Sequence, residues 1–156
     1  MLVSLVLPYQ TNTKKMTTLT LRKRLTESKI FDWMFNSSST SNNGMKISIQ
    51  GKSIDDSIFL FERLNEYLYS NNVPFKIATQ KRFELKKANK EQSHKAMTIY
   101  CVDGFDFSQL CEDIYGLTLD YKGWHNIKTP TNYQHYAGGL FFRNDRDING
   151  VYVPAK

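Results

Sequence analysis

The sequence predicts an α+β domain: a mixed or antiparallel sheet with helices on one face, preceded by an N-terminal amphipathic helix. Three observations carry this. Residues 45–50 and 96–102 alternate or run apolar as strands do. Ile54, Ile58, Phe61, Leu64 and Leu68 recur at helical spacing between them. The elements then follow the order helix, β-α-β, β-α-β, which suits helices packed on one side of a sheet.

The chain has 156 residues, 40% of them hydrophobic and 13% aromatic. That is enough apolar material for one core and too little length for two. Residues 1–16 read as a flexible N-terminal arm. The opening apolar stretch lacks the basic flank and the small-residue cleavage site of a signal peptide. Residues 17–156 read as a single domain, with a helix over 17–35, a polar linker over 36–44 and a core over 45–156. Leu21, Leu25 and Ile30 or Phe31 supply the apolar face of that first helix, and Trp33 and Met34 extend it. The linker, rich in Ser, Asn and Gly, has no apolar period.

Lys46-Ile47-Ser48-Ile49 is the first core strand. Ser53, with Asp56 three residues on, marks the start of a helix that stops near Ser70-Asn71-Asn72. Val73–Ala78 is the next strand, and Pro74 fits only near its beginning. Residues 81–95, basic and polar, read as a loop or an irregular strand pair. Ala96–Val102 is the clearest strand. Phe107, Leu110, Cys111, Ile114 and Tyr115 make a helix ended by Gly116. Residues 120–135 are aromatic and polar without period; Tyr121, Trp124, His125, Tyr133 and Tyr136 suit an ordered surface loop, or one that borders a substrate groove or stacks on single-stranded nucleic acid. Gly139–Phe142 is a short strand, and Asn149-Gly150 before Val151–Val153 signals a tight hairpin.

The net charge is +6, and it is uneven. Residues 1–30 and 76–95 each carry +5, whereas the stretches between and after them are mildly acidic. Local anion sites follow from that pattern better than a uniformly basic surface does. No apolar run approaches the roughly 18 residues of a membrane span, so no membrane partner is expected. Cys101 and Cys111 lack metal-ligand spacing and read as reduced core thiols, which points to the cytoplasm. The lysine-, asparagine- and isoleucine-rich composition suits a bacterial or phage gene.

Several chemistries are excluded. There is no phosphate-cradling glycine loop and no nucleophile elbow. His94, His125 and His135 stand too far apart in sequence for a zinc motif, so no metal is expected. Nothing calls for a cofactor. The core strands also lack the paired histidines of two-histidine phosphoesterases.

Lys76 is the residue of interest, an ammonium inside the apolar strand Phe75-Lys76-Ile77-Ala78. It is either a solubilising edge-strand lysine or a lysine held partly dry, where neighbouring cations lower its proton affinity. Five segments in order bear on that choice: Lys46-Ile-Ser-Ile, Phe75-Lys76-Ile-Ala-Thr79, a basic stretch, Met97-Thr-Ile-Tyr100, and Phe142-Arg143-Asn144-Asp145-Arg146. Together, over roughly residues 45–147, they resemble the bacterial phosphothreonine lyases and the lyase domain of class III lanthipeptide synthetases.

The resemblance implies β-elimination from a phosphorylated serine or threonine of a protein or peptide. Lys76 falls on the family's base. Lys46 and Arg143 fall on phosphate contacts, and Lys87, Lys90, Lys95 and Arg146 lie where further cationic contacts are expected. The family's general acid is the histidine of Lys-x-His, and that position here is Ser48. His94 and His135 are then the candidate acids. Two other readings stand beside the lyase. One is a non-catalytic module that binds a phosphopeptide or a partner protein. The other is a basic nucleic-acid-binding accessory protein, for which the pI of about 9.3 argues.

Overall fold

A computed structural model describes residues 4–6, 18–28, 33–35, 42–85, 94–130 and 132–153. Its strands are β1 (Ser4–Val6), β2 (Trp33–Phe35), β3 (Asn42–Gln50), β4 (Phe75–Ala78), β5 (Lys95–Val102), β6 (Gln134–Ala137) and β7 (Leu140–Asn144). Its helices are α1 (Thr18–Glu27), α2 (Ile54–Ser70), α3 (Gln80–Leu85) and α4 (Phe107–Leu117). One seven-stranded sheet runs β1-β2-β4-β5-β3-β7-β6. β1 lies parallel to β2, and every other neighbouring pair is antiparallel. The fold is α+β.

Its centre is two interlocked split β-α-β units. β3-α2-β4 leaves a gap that β5 fills, and β5-α4-β7 leaves a gap that β3 fills. In chain order these four strands stand 4-1-3-2, the ferredoxin-like arrangement. A short connection cannot join two parallel strands, so each unit spends a helix on the crossover. Both helices cover the same face. Ile58, Phe61, Leu64 and Leu68 of α2 and Leu110 and Ile114 of α4 share one core with Ile47, Ile49, Ile77, Met97, Ile99 and Cys101 of the sheet. Leu21 and Leu25 of α1 join that core fully buried.

The helix starts follow the expected chemistry only in part. Asp55 and Asp56 place negative charge in the first turn of α2. Ser53 makes no side-chain cap bond there; the Asp56 carboxylate instead accepts from Lys52 N at 2.6 Å. At α4 the Asp106 carboxylate accepts from Ser108 N and Gln109 N.

Five local expectations are corrected. The helix expected over 17–35 ends at Glu27, and Trp33-Met34-Phe35 is a strand pairing with β4. The apolar side chains that suit a helix face suit a buried strand equally. Ser4–Val6 belongs to the sheet and not to an arm, and Asn42–Gly44 belong to β3 and not to the linker; residues 36–41 lie outside the described residues. Gln80–Leu85 forms a short helix, not a loop or strand pair. Gly116 lies inside α4, which ends at Leu117 and is capped by Thr118, whose hydroxyl donates to Ile114 O at 2.8 Å. β6, in the aperiodic aromatic stretch, has only exposed and half-buried residues, so no alternation announced it.

Both cysteines are buried and free. Among the described residues no helix is long and apolar enough to cross a membrane.

Candidate functional site on the open face of the sheet

Residues directly opposite in an antiparallel ladder share a face. Lys46 faces Tyr100 on one side and Arg143 on the other. Ser48 faces Thr98 and Phe141, and Thr98 in turn faces Lys76. Gln50 faces Lys95. The alternate residues point to the helices, so these define the opposite, polar face. Four cations from β3, β4, β5 and β7 thus converge around a floor of two hydroxyls.

A fifth cation, Arg82, comes from α3. Its guanidinium lies 5.1 Å from the centre of the Trp33 ring, and Lys76 Nζ lies 4.3 Å from the same ring. Trp33 is buried in the strand next to β4, and this sandwich follows from the strand placing its ring under both side chains. Lys76 Nζ is also 5.9 Å from the Tyr100 ring. Across the site, Tyr133 lies 4.6 Å below Lys95 Nζ and 5.8 Å from the Arg143 guanidinium.

Burial is deep for so much charge. Lys95, Arg82 and Arg143 are only 5–7% exposed. Among the described residues one carboxylate, Asp145, is buried with them; it lies 3.5 Å from Lys46 Nζ and 3.4 Å from Arg146 Nε. Burial holds the Lys46 ammonium below its usual proton affinity, with Asp145 opposing that shift and Arg143 and Arg146 adding to it. Lys95 is pushed down to about 6, first by burial and then by Lys46, Lys76, Arg82 and Arg143. Burial raises the Tyr100 and Tyr133 phenols well above their ordinary range.

The floor carries unused hydrogen-bonding capacity. Thr98 Oγ1 and Arg143 Nε and Nη1 are buried without a hydrogen-bond partner. Arg143 uses its remaining nitrogen, Nη2, to donate to Val153 O. That carbonyl belongs to a hairpin closed by Gly150 N to Asp147 O and Asp147 N to Val151 O, with Gly150 at φ +76°. The hairpin expected at Asn149-Gly150 is therefore present, and its Tyr152 ring lies 5.7 Å from Lys46 Nζ.

Of the residues singled out in the sequence, Lys46, Lys76, Lys95 and Arg143 come together. Arg146 sits at the rim, partly exposed and paired with Asp145. Lys87 and Lys90 lie outside the described residues. Of the two candidate acids, His135 stands away from Lys76. His135 lies on β6, four strands from β4, about 19 Å across at a strand spacing of ~4.8 Å. It is exposed, its Nε2 lies 2.8 Å from Gly138 O, and its ring packs on Phe141. His94 is a left-handed turn residue, φ 70°, whose carbonyl accepts from Gly51 N.

Sequence reading missed Trp33, Arg82, Thr98 and Asp145 as site residues. A signal existed for Thr98: in Met97-Thr98-Ile99-Tyr100 the polar residues alternate with apolar ones, in phase with Lys46 and Ser48 across the ladder. Among the described residues no cluster of three or more His, Cys, Asp or Glu could hold a metal. No family model and no curated protein matches the chain.

Proposed function

We propose that the polar face of the sheet recognises the phosphate of a phosphorylated serine or threonine in a protein or peptide, and that the domain is lyase-like. The observation that supports this is the convergence of Lys46, Lys76, Arg82, Lys95 and Arg143 around Ser48 and Thr98, with one buried carboxylate to balance them. Cations packed this closely repel one another. A phosphate ester, with about −1.5 to −2 charges and three strong acceptors, relieves that repulsion. The idle nitrogens of Arg143 and the Thr98 hydroxyl offer directed donors to it.

In the elimination, a neutral lysine amine takes the α-proton of the phosphorylated residue. The Cα–H electron pair becomes the Cα=Cβ bond. The Cβ–O bond breaks and its pair departs with the phosphate, which is protonated from water. Excess cationic charge at the leaving oxygens lowers this barrier as they gain charge.

A second reading has its own observation. Ser48, fully buried, stands where the resemblance expects an acid. A serine hydroxyl cannot hand a proton to a departing phosphate as an imidazolium can. This favours a phosphopeptide-binding module without turnover.

Mass spectrometry of phosphothreonine and phosphoserine peptides incubated with the protein separates the two. Loss of the elements of phosphoric acid, leaving a dehydro residue, is the result expected for the lyase. An unchanged peptide that binds at least tenfold more tightly than its unphosphorylated form, and loses that preference in Lys46→Ala and Arg143→Ala, supports the binding module. A free hydroxyl product would mean hydrolysis and overturn the elimination. No preference for the phosphorylated peptide, together with steeply salt-dependent binding of single-stranded nucleic acid, would overturn both.

A further inference from the structure

The five cations of the polar face are not equivalent, and the backbone explains why. Between Ile49↔Met97 and Gln50↔Lys95 the ladder advances one residue on β3 but two on β5. Ala96 is the extra residue of a β-bulge. In an unbroken ladder Lys95 would share the face of Met97 and Ile99 and point into the helix-covered core. The bulge turns it over, onto the face of Gln50, Ser48 and Lys46. Bulges re-aim single side chains in this way. Ala96 itself is fully buried, and its carbonyl is the longer of two acceptors of the Ser57 hydroxyl of α2, at 3.4 Å beside Ala78 O at 3.1 Å.

The bulge delivers Lys95 to a place where charge is costly. Lys46 from β3, Lys76 from β4, Arg82 from α3 and Arg143 from β7 all act on it with the same sign, and Tyr133 closes the remaining side. Its Nζ lies 3.4 Å from the Tyr133 hydroxyl. The Tyr133 ring beneath it favours a cation, but a phenol face is a weaker partner than an indole and here opposes four like charges and near-complete burial. Lys76 stands in the same field of like charge, repelled by Lys95 and with Arg82 5.1 Å from the same Trp33 ring, but it is only half-buried. Its Nζ is stacked at 4.3 Å on Trp33, the best cation-binding ring, with Tyr100 as a second aromatic neighbour. That stacking favours the charged amine, which is a poor base.

We propose that Lys95, not Lys76, is the proton-accepting and nucleophilic amine of this site, and that Lys76 is a fixed ammonium clamped on Trp33 to hold anionic ligands. The inference deepens the phosphate-lyase reading by exchanging its base. It also implies a chemistry independent of that reading. A neutral amine inside a cationic ring captures an aldehyde that carries a phosphate: the amine nitrogen adds to the carbonyl carbon, water is lost, and an imine remains.

Pyridoxal 5′-phosphate is the probe. The full-length protein is incubated with it at neutral pH, reduced with borohydride and mapped by peptide mass spectrometry, while the lysine side-chain Cε resonances are titrated by NMR. The expected result is a reduced adduct on Lys95 that competing inorganic phosphate suppresses. Lys95 should titrate near 6, with Lys76 still charged at neutral pH. Adducts on Lys76, or scattered over surface lysines, or a Lys95 that is charged at neutral pH would each overturn the proposal. Trp33→Leu provides a second arm: it should release Lys76 to titrate lower without moving the adduct from Lys95, and transfer of the adduct to Lys76 would count against the assignment. If phosphopeptides stay intact while Lys95 labels and titrates as expected, the lyase reading fails and the amine assignment stands. If elimination occurs, the acidic limb of kcat/KM should follow the Lys95 midpoint. Lys95→Arg should abolish turnover, whereas Lys76→Arg should retain part of it; the reverse pattern would restore Lys76 as base.

Discussion

The two faces of one sheet are built from the same strands and obey opposite rules. On β3, Ile47 and Ile49 bury against the helices while Lys46, Ser48 and Gln50 alternate with them on the other side. On β5, Met97, Ile99 and Cys101 alternate with Thr98 and Tyr100. The helix face satisfies every requirement of a core: apolar side chains, deep burial and neighbours on all sides. The polar face is nearly as buried, yet it gathers like charges and leaves donors idle. Gathering like charges in a buried place is costly to a fold, because burying an ion costs several kcal/mol. This difference across alternate residues of the same strands is what supports the proposed ligand role of the polar face.

The comparison breaks most visibly on the helix side. Phe75 is fully buried, between Phe61 at 6.1 Å and Tyr69 at 5.9 Å. Phe75→Ala should cost about 3–5 kcal/mol and lower Tm by roughly 10 °C or more, measured by thermal and urea unfolding. Its sequence neighbour Lys76 should behave otherwise: Lys76→Ala should alter anion binding far more than it alters stability.

Replacing Lys95 should move stability in the opposite direction. Its folded-state proton affinity lies below that of the unfolded chain, so the unfolded state binds the extra proton between about pH 6 and the free lysine value of roughly 10.4. Stability should therefore rise with pH through that window. Lys95→Met removes the group, and should flatten that rise and stabilise the protein at neutral pH by about 1–4 kcal/mol. A variant that unfolds more easily at neutral pH would mean that Lys95 is paired in a way that lowers its cost.

How much of this was legible in the sequence depended on whether an element had a period. The Ile54–Leu68 spacing and the two alternating strands specified the α+β core, since each pattern is tied to one backbone geometry. Lys76 was legible because a charged residue inside an apolar strand is conspicuous, and Lys46 and Arg143 were named through the resemblance. Trp33 was not, because a three-residue apolar strand and a helix face look alike. Arg82 was hidden in a basic run whose helix is too short to show a face. Lys95 was named through the resemblance alone: strand parity by itself would put it on the core side, and only the bulge, a feature of the paired backbone, reverses that.

Thr98 sharpens the contrast at a smaller scale. Its hydroxyl is buried and unpartnered beside Ser48, whose own hydroxyl lies 3.4 Å from Gln50 Oε1. A buried donor without a partner costs about 1–3 kcal/mol. Thr98→Val keeps the shape and removes that cost, so Tm should rise by a few degrees, corresponding to about 1 kcal/mol. Phosphate affinity, measured by calorimetric titration, should fall several-fold. A valine variant that loses stability would place the hydroxyl among the groups that hold the fold.

The smallest effect is expected where neither face is involved. Arg22 Nη2 and Asp55 Oδ1 stand 2.6 Å apart between α1 and α2, with 45% and 71% of their side chains exposed. Water screens such a pair and the two side chains lose entropy to hold it, so its net worth is about 0.2–1 kcal/mol. A double-mutant cycle with Arg22→Ala and Asp55→Ala should return a coupling in that range, and it should shrink further in added salt. Because the polar face draws its strength from exclusion of water, phosphate binding there should lose less to the same salt than this surface pair does. A salt response of equal steepness at both places would mean that the cations of the sheet are as hydrated as those of the surface, and the distinction between the two faces would then rest on shape alone.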